Sequence, residues 1–215
     1  MRVNPYMVLA AAAADWDRLA ALLQPDRRPP LTAHLSRLRT GTGDRDTATL
    51  AARALLDALP ADESARLRRH GDTGRFTGAP GDPQYAGYAA ADLCLLVLDG
   101  NPMVGPVLGP VRDRLLREPS TPWTEGADPR LIALTGTDGH RRMPLFQFEA
   151  GTMPWRIVLE VNAVLRADTD PWGAADWWLS RTTWWDGTPA ALLGRGRDAE
   201  LLGAARELAA REGED

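Results

Sequence analysis

The stretch Pro144–Leu193, PLFQFEAGTMPWRIVLEVNAVLRADTDPWGAADWWLSRTTWWDGTPAALL, decides how the C-terminal part of this chain folds. Six of the eight tryptophans (Trp155, Trp172, Trp177, Trp178, Trp184 and Trp185) fall inside it, so the largest apolar side chains are gathered in one short segment. Its punctuation is that of short helices joined by tight turns. Thr152 stands at a capping position ahead of Pro154, and Ile157, Val158, Val161, Val164 and Leu165 then recur at helical spacing, which predicts one amphipathic helix. Asp170 before Pro171 predicts a second helix, running through Trp178 and Leu179, because a carboxylate accepts orphan amide hydrogens and proline fits the first helical turn. Thr188 with Pro189 predicts a third short turn carrying Leu192 and Leu193. Asp198 predicts a last helix with Leu201, Leu202, Ala205, Leu208 and Ala209 on one face.

In this order the features resemble the C-terminal toxin-binding domain of the Xre/MbcA/ParS antitoxin family. The aromatic strand is Phe146 to Phe148, the amphipathic helix Ile157 to Leu165, and the aspartate-proline-tryptophan start Asp170 to Trp172. The WL end is Trp178 with Leu179, and the glycine and proline ahead of a leucine pair are Gly187, Pro189, Leu192 and Leu193. The resemblance covers roughly the last third of the chain. It departs from the family after WL, where an asparagine and a second glycine are usual and this chain has Thr182, Thr183 and Asp186. No contact of that asparagine is carried over.

The resemblance implies a non-enzymatic antitoxin that binds and occludes a cognate toxin, often of the RES type, which consumes NAD or modifies targets with it. The antitoxin itself needs no cofactor. A partner surface combines an aromatic anchor, arginine and a polar rim, so the expected interface is Arg181, Trp184, Trp185 and Asp186, with Arg195 and Arg197 at its edge. The competing classes are a toxin-free transcriptional regulator or interaction adaptor and an enzyme of unrecognised type. A homo-oligomer is compatible with any of them.

Upstream, the chain reads as helices and breakers. Val8 to Leu23 predicts one alanine-rich helix, ended by Pro25, Pro29 and Pro30, with a short helix at Leu31 to Leu38. Gly41 to Asp44 reads as a loop and helix entry. Asp46 to Leu59 predicts a helix that buries Leu50, Ala54, Leu55 and Ala58, and Ala61 to His70 another, broken at Gly71. His70 to Pro83 is rich in glycine and proline and predicts a long loop and boundary. Tyr85 to Leu98 predicts a mostly apolar helix, and Asp99 to Pro102 a strong turn.

Met103 to Glu118 predicts a helix interrupted by Pro106 and Pro110, where the resemblance implies a helix-turn-helix. A DNA-binding role would use Arg112, Arg114, Arg117, Arg141 and Arg142. Residues 103 to 142 hold six arginines against five carboxylates, too balanced for a strong drive toward phosphate. Leu131 to Thr135 and Arg141 to Phe148 predict a wing-like hairpin about Gly136 to Gly139.

The expected architecture is mainly α: a helical module (1–84), a helical segment with a degenerate helix-turn-helix and the hairpin (85–142), and the tryptophan-rich domain (143–215). Composition, 44% hydrophobic and 25% charged over 215 residues, is that of a globular protein. The N-terminal alanine run lacks a basic leader and carries Asp15, Asp17 and Arg18, so neither a signal peptide nor a membrane span is expected and the location is cytoplasmic by default. Residues 143 to 215 hold 7 arginines against 12 carboxylates, a net of −5 that favours a basic protein partner.

Catalytic chemistry has few candidates. Cys94 is the only cysteine and lies in an apolar run, and His34, His70 and His140 have no ligand-spaced neighbours, so neither a thiol nucleophile nor a metal site is expected. Asp168/Asp170 and Asp62/Glu63 are paired carboxylates beside helix starts, where capping is sufficient explanation.

Overall fold

A computed structural model describes residues 3–40, 44–72, 83–151, 153–182 and 184–212. The chain is mainly α-helical with small antiparallel strands, as the sequence leads one to expect. It divides into two compact units, Met1–Pro110 and Val111–Asp215. The expected segments ending at 84 and 142 are therefore not the compact bodies. A helix placed in the second segment completes the core of the first unit, and the hairpin packs with the tryptophan-rich domain.

The first unit is built round α1 (Pro5–Ala14), whose residues Met7 to Ala13 are all buried. Such a helix has no polar face and must be covered on all sides. The covering helices are α4 (Arg45–Asp57), α5 (Ala61–Asp72) and α6 (Ala90–Asp99), while α3 (Arg28–Thr40) packs on α4 and α6. Alanine lets these backbones approach closely: Ala10 to Ala13 on α1 and Ala48, Ala51 and Ala52 on α4 are buried.

Several expected boundaries move for local reasons. The helix expected at Val8–Leu23 is two, α1 and α2 (Trp16–Ala20), because Asp15 between them leaves helical geometry at φ −126°. Its carboxylate accepts from Arg18 at 2.7 Å and also pairs with Arg66. Pro29 and Pro30, expected to end a helix, instead lie in the first turn of α3, where a missing N–H costs nothing. On α4 the buried face is Ala48, Ala51, Ala52, Leu55 and Leu56, and Leu50 is exposed: small residues, not the first leucine, face α1. The run of α5 continues through Gly71, where a Cβ would stand 2.3 Å from a Val3 methyl.

Tyr85 to Tyr88 is a tight turn with reciprocal N–H···O bonds of 2.9 Å rather than the start of α6. The helix begins later, with the Asp92 carboxylate accepting from the Ala89 N–H at 2.8 Å. Helix α7 (Gly105–Leu116) forms despite its prolines: Pro106 is in the tolerant first turn, and Pro110 lies in the helix interior. Gly105 has φ +75° and sits against the Tyr88 ring, where a Cβ would stand 2.4 Å away.

In the second unit β1 (Ser120–Pro122), which the sequence did not suggest, and β2 (Leu134–Thr135) flank β3 (Arg141–Pro144) in an antiparallel sheet ordered β1-β3-β2. The hairpin register pairs Leu134 with Arg142 and Thr135 with Arg141. The expected strand through Phe148 is interrupted by a 3-10 turn at Leu145–Gln147. Beyond it β4 (Phe148–Glu149) pairs with β5 (Met153–Pro154), so Pro154 ends a strand and Trp155 precedes α8 (Arg156–Val164).

Helix α9 (Pro171–Leu179) starts as expected, with Asp170 accepting from the Gly173 N–H at 2.9 Å. The Pro189–Leu192 turn is capped by Thr188, and α10 (Asp198–Glu212) packs against α8 and this turn. The expected cap at Thr152, the glycine loop at 41–43 and most of the glycine-proline loop, 73–82, lie outside the described residues. Among the described residues no helix is long and apolar enough to cross a membrane.

Candidate functional site

The tryptophan-rich segment is held from beneath by a chain of buried amides. Gln147, fully buried, accepts the Ile132 N–H at 2.7 Å and returns a hydrogen bond to the Ile132 carbonyl at 3.0 Å, as a neighbouring strand would. Asn162 on α8 donates to the Arg130 carbonyl at 2.8 Å and toward the Gln147 side chain at 3.3 Å. Its oxygen accepts the Trp178 indole N–H at 2.8 Å. Trp178 is wholly buried, with Phe146 5.5 Å and Trp177 5.0 Å away between ring centroids. Two motif residues, Phe146 and Trp178, thus meet in one cluster. Gln147 and Asn162 were not singled out from sequence, although Asn162 breaks an otherwise apolar stripe, a detectable signal of a buried hydrogen bond.

Around this cluster the remaining motif residues have structural places. Trp172 and Leu192 are buried, Pro189 opens the capped turn, and Leu193 follows it half-buried. The carbonyl of Leu179 accepts from Arg114 at 3.3 Å, and Arg114 also pairs with Asp176 and donates to the Ser180 hydroxyl at 3.2 Å. A cation at the C-terminal end of α9 complements its negative end.

From the end of α9 the chain runs into a closed loop. Thr182 pairs with Gly187 as an isolated antiparallel bridge, Thr182 N–H to Gly187 O at 3.3 Å, and the Gly187 N–H donates to the Trp185 carbonyl at 2.9 Å. Arg181 and Asp186 reinforce the closure by an ion pair of 2.9 Å, yet their side chains are 78% and 99% exposed. An ion pair this exposed contributes little energy. At the tip Trp184 is 44% exposed, while Trp185 is half-buried with its ring 6.1 Å from that of Trp184 in an edge-to-face arrangement. Thr183 between them and the bridge lies outside the described residues.

The loop is tied to the start of α10. Arg197 pairs with Glu200 and, with a smaller contribution from the Trp185 side chain, holds the Glu200 carboxyl below its usual range. Arg195 is exposed between two glycines of positive φ. The structure therefore brings Arg181, Trp184, Trp185 and Asp186 together on one loop and joins Arg197 to them through Glu200 and Trp185. Arg195 is two residues away along the same strip of chain.

The arginines assigned to DNA are differently placed. Arg112 is buried and paired with Asp113 at 2.9 Å, and Arg114 is occupied at the end of α9. Arg142 is paired with Asp138, whose carboxyl it holds well below the usual range, and Arg141 lies 4.4 Å over the Trp123 ring. Arg117 is exposed and donates to the Asp113 carbonyl at 3.0 Å. Most of this set is used in packing or ion pairing. No family model, curated protein or solved structure matches the chain.

Proposed function

We propose that this protein is an antitoxin-like binding protein that captures and occludes a cognate toxin with the Arg181–Asp186 loop, the toxin being of the RES type that the family resemblance implies. The observation that carries this reading is a half-exposed tryptophan at the tip of a loop closed on both sides, next to a second ring that packs inward. A large, rigid side chain fixed in solvent loses little entropy on binding and fills a partner's pocket, which is how interface hot spots work. The second unit holds 13 arginines against 17 carboxylate side chains, a net of −4 that suits a basic partner. The toxin-free regulator reading has less to stand on, since the arginines it would use are largely engaged.

The test is co-purification and affinity measurement with the toxin-like product of a neighbouring reading frame. Trp184→Ala is expected to leave the helical circular dichroism unchanged and to weaken capture by about 2 kcal/mol, roughly thirtyfold. Unchanged affinity in that variant removes the loop from the mechanism. Tight, sequence-specific DNA binding at physiological salt, with no protein partner captured, favours the regulator instead.

A further inference from the structure

We propose that the first unit carries a binding site for a small phosphorylated molecule with an apolar body, in a cavity where Arg45, Arg53 and Arg68 stand over Val3, Ala52 and Leu56. The cavity is a cleft open to solvent with a volume of about 530 Å³, within the range of small-molecule sites. Its geometry follows from sequence spacing. Arg45, Thr49, Ala52, Arg53 and Leu56 fall on one stripe of α4, so that helix supplies both two cations and part of the apolar floor. Arg68 comes from α5 and Val3 from the chain just ahead of α1.

The three guanidiniums differ from most of the arginines around them. Arg18 and Arg66 share Asp15 and Glu63, and Arg39 holds Asp99 at 2.7 Å. Among the described residues Arg45, Arg53 and Arg68 have no carboxylate partner and no side-chain hydrogen bond, and all three are exposed at the mouth of the cavity. Asp46 lines the same rim, so three positive charges face one negative one. The Thr49 hydroxyl is already spent on the Arg45 carbonyl at 2.7 Å.

What this surface offers a ligand is thus forked cationic donors above aliphatic carbon. Guanidinium forks match phosphate oxygens bidentately. An apolar floor of Val3, Ala52 and Leu56 selects for a hydrocarbon or flat body attached to the phosphate rather than for free phosphate. The site lies wholly within the first unit and does not depend on toxin binding.

The test is calorimetric titration of the full chain with hexyl phosphate, inorganic phosphate and hexanol. Hexyl phosphate is expected to bind at least about tenfold more tightly than inorganic phosphate, and hexanol not to bind measurably. Arg53→Gln and Arg68→Gln are each expected to weaken hexyl phosphate binding about tenfold with unchanged circular dichroism and melting, while Arg117→Gln leaves it unaltered. Absence of hexyl phosphate binding, or equal binding by the Arg53→Gln/Arg68→Gln double variant, overturns the site. Equal affinity for hexyl phosphate and inorganic phosphate overturns the role of the apolar floor.

Discussion

The two units hold their buried polar side chains in opposite ways. In the first unit the bonds are near in sequence: Ser64 donates to the Leu56 carbonyl, Asp92 accepts from the Ala89 N–H, and Asn101 accepts from the Met103 N–H while its Nδ2 has no hydrogen-bond partner among the described residues. The helices themselves are joined chiefly by aliphatic contact between leucine and alanine, with ion pairs such as Arg39–Asp99 at the margin. In the second unit Gln147, Asn162 and Trp178 run a relay between β2's approach, the 3-10 turn, α8 and α9. One core is joined by surface, which tolerates no added volume. The other is joined by directional bonds, which tolerate no missing partner.

The largest effect expected from this difference is in the relay. Trp178→Ala removes a fully buried ring and leaves Asn162 without its indole donor, and should cost about 3–5 kcal/mol of second-unit stability. Asn162→Leu should cost about 1–3 kcal/mol by stranding the Trp178 N–H, and combining it with Trp178→Phe should cost less than the sum. Urea unfolding monitored by far-ultraviolet circular dichroism gives these values, and strict additivity would break the idea of a coupled relay.

In the first unit the complementary change is an enlargement. Ala12→Leu adds three carbons at a fully buried position on α1 and should destabilise by about 1–3 kcal/mol, again by urea unfolding. A neutral result would mean that the alanine contacts are loose and that the contrast between the units is false.

The smallest effect expected is electrostatic. Arg18, with Arg66 second, holds the Glu63 carboxyl down at about 2, and the same cations lower Asp15. A depressed carboxyl gives stability that is fully present above the unfolded value of about 4.3 and is lost as pH falls toward the folded value. Glu63→Gln should therefore differ from the parent chain at pH 5 and converge with it by pH 3 to 2, in urea midpoints measured across that window. A difference that stays constant with pH would leave the Asp15–Arg18–Glu63–Arg66 cluster without a role in stability.

What was legible in the sequence was what is local. Asp170 with Pro171 and Thr188 with Pro189 announce helix or turn starts because cap and capped amide lie within three residues. The alternation about Gly136–Gly139 likewise announces its hairpin. The relay was not legible, since Gln147 and Ile132 are 15 residues apart and Asn162 and Trp178 are 16 apart, and no local pattern names such a partner. Proline matters by its position within a turn as well as by its presence: Pro29 and Pro30, expected to end a helix, stand in the first turn of α3, and Pro106, expected to interrupt a helix, stands in the first turn of α7. On α4 the expected Leu55 and Ala58 are buried, whereas Leu50 is exposed and Ala54 half-buried, because the face turns toward Ala48, Ala51 and Ala52, where close helix approach selects alanine. At the candidate loop, residue types suggested an anchor and rim, but only the fold shows that Trp184 is the open ring and Trp185 the packed one.

Cys94 lies beneath the Leu35 carbonyl in the first unit, its Sγ 3.7 Å away, and burial pushes the thiol up to about 11. Seven of the eight tryptophans belong to the second unit. The chain thus comes with two reporters that scarcely overlap: a thiol that reacts with an alkylating reagent only when the alanine core opens, and an emission spectrum dominated by the relay's surroundings. Timing the first against the second reads the order in which the two cores come apart, with no residue substituted in either.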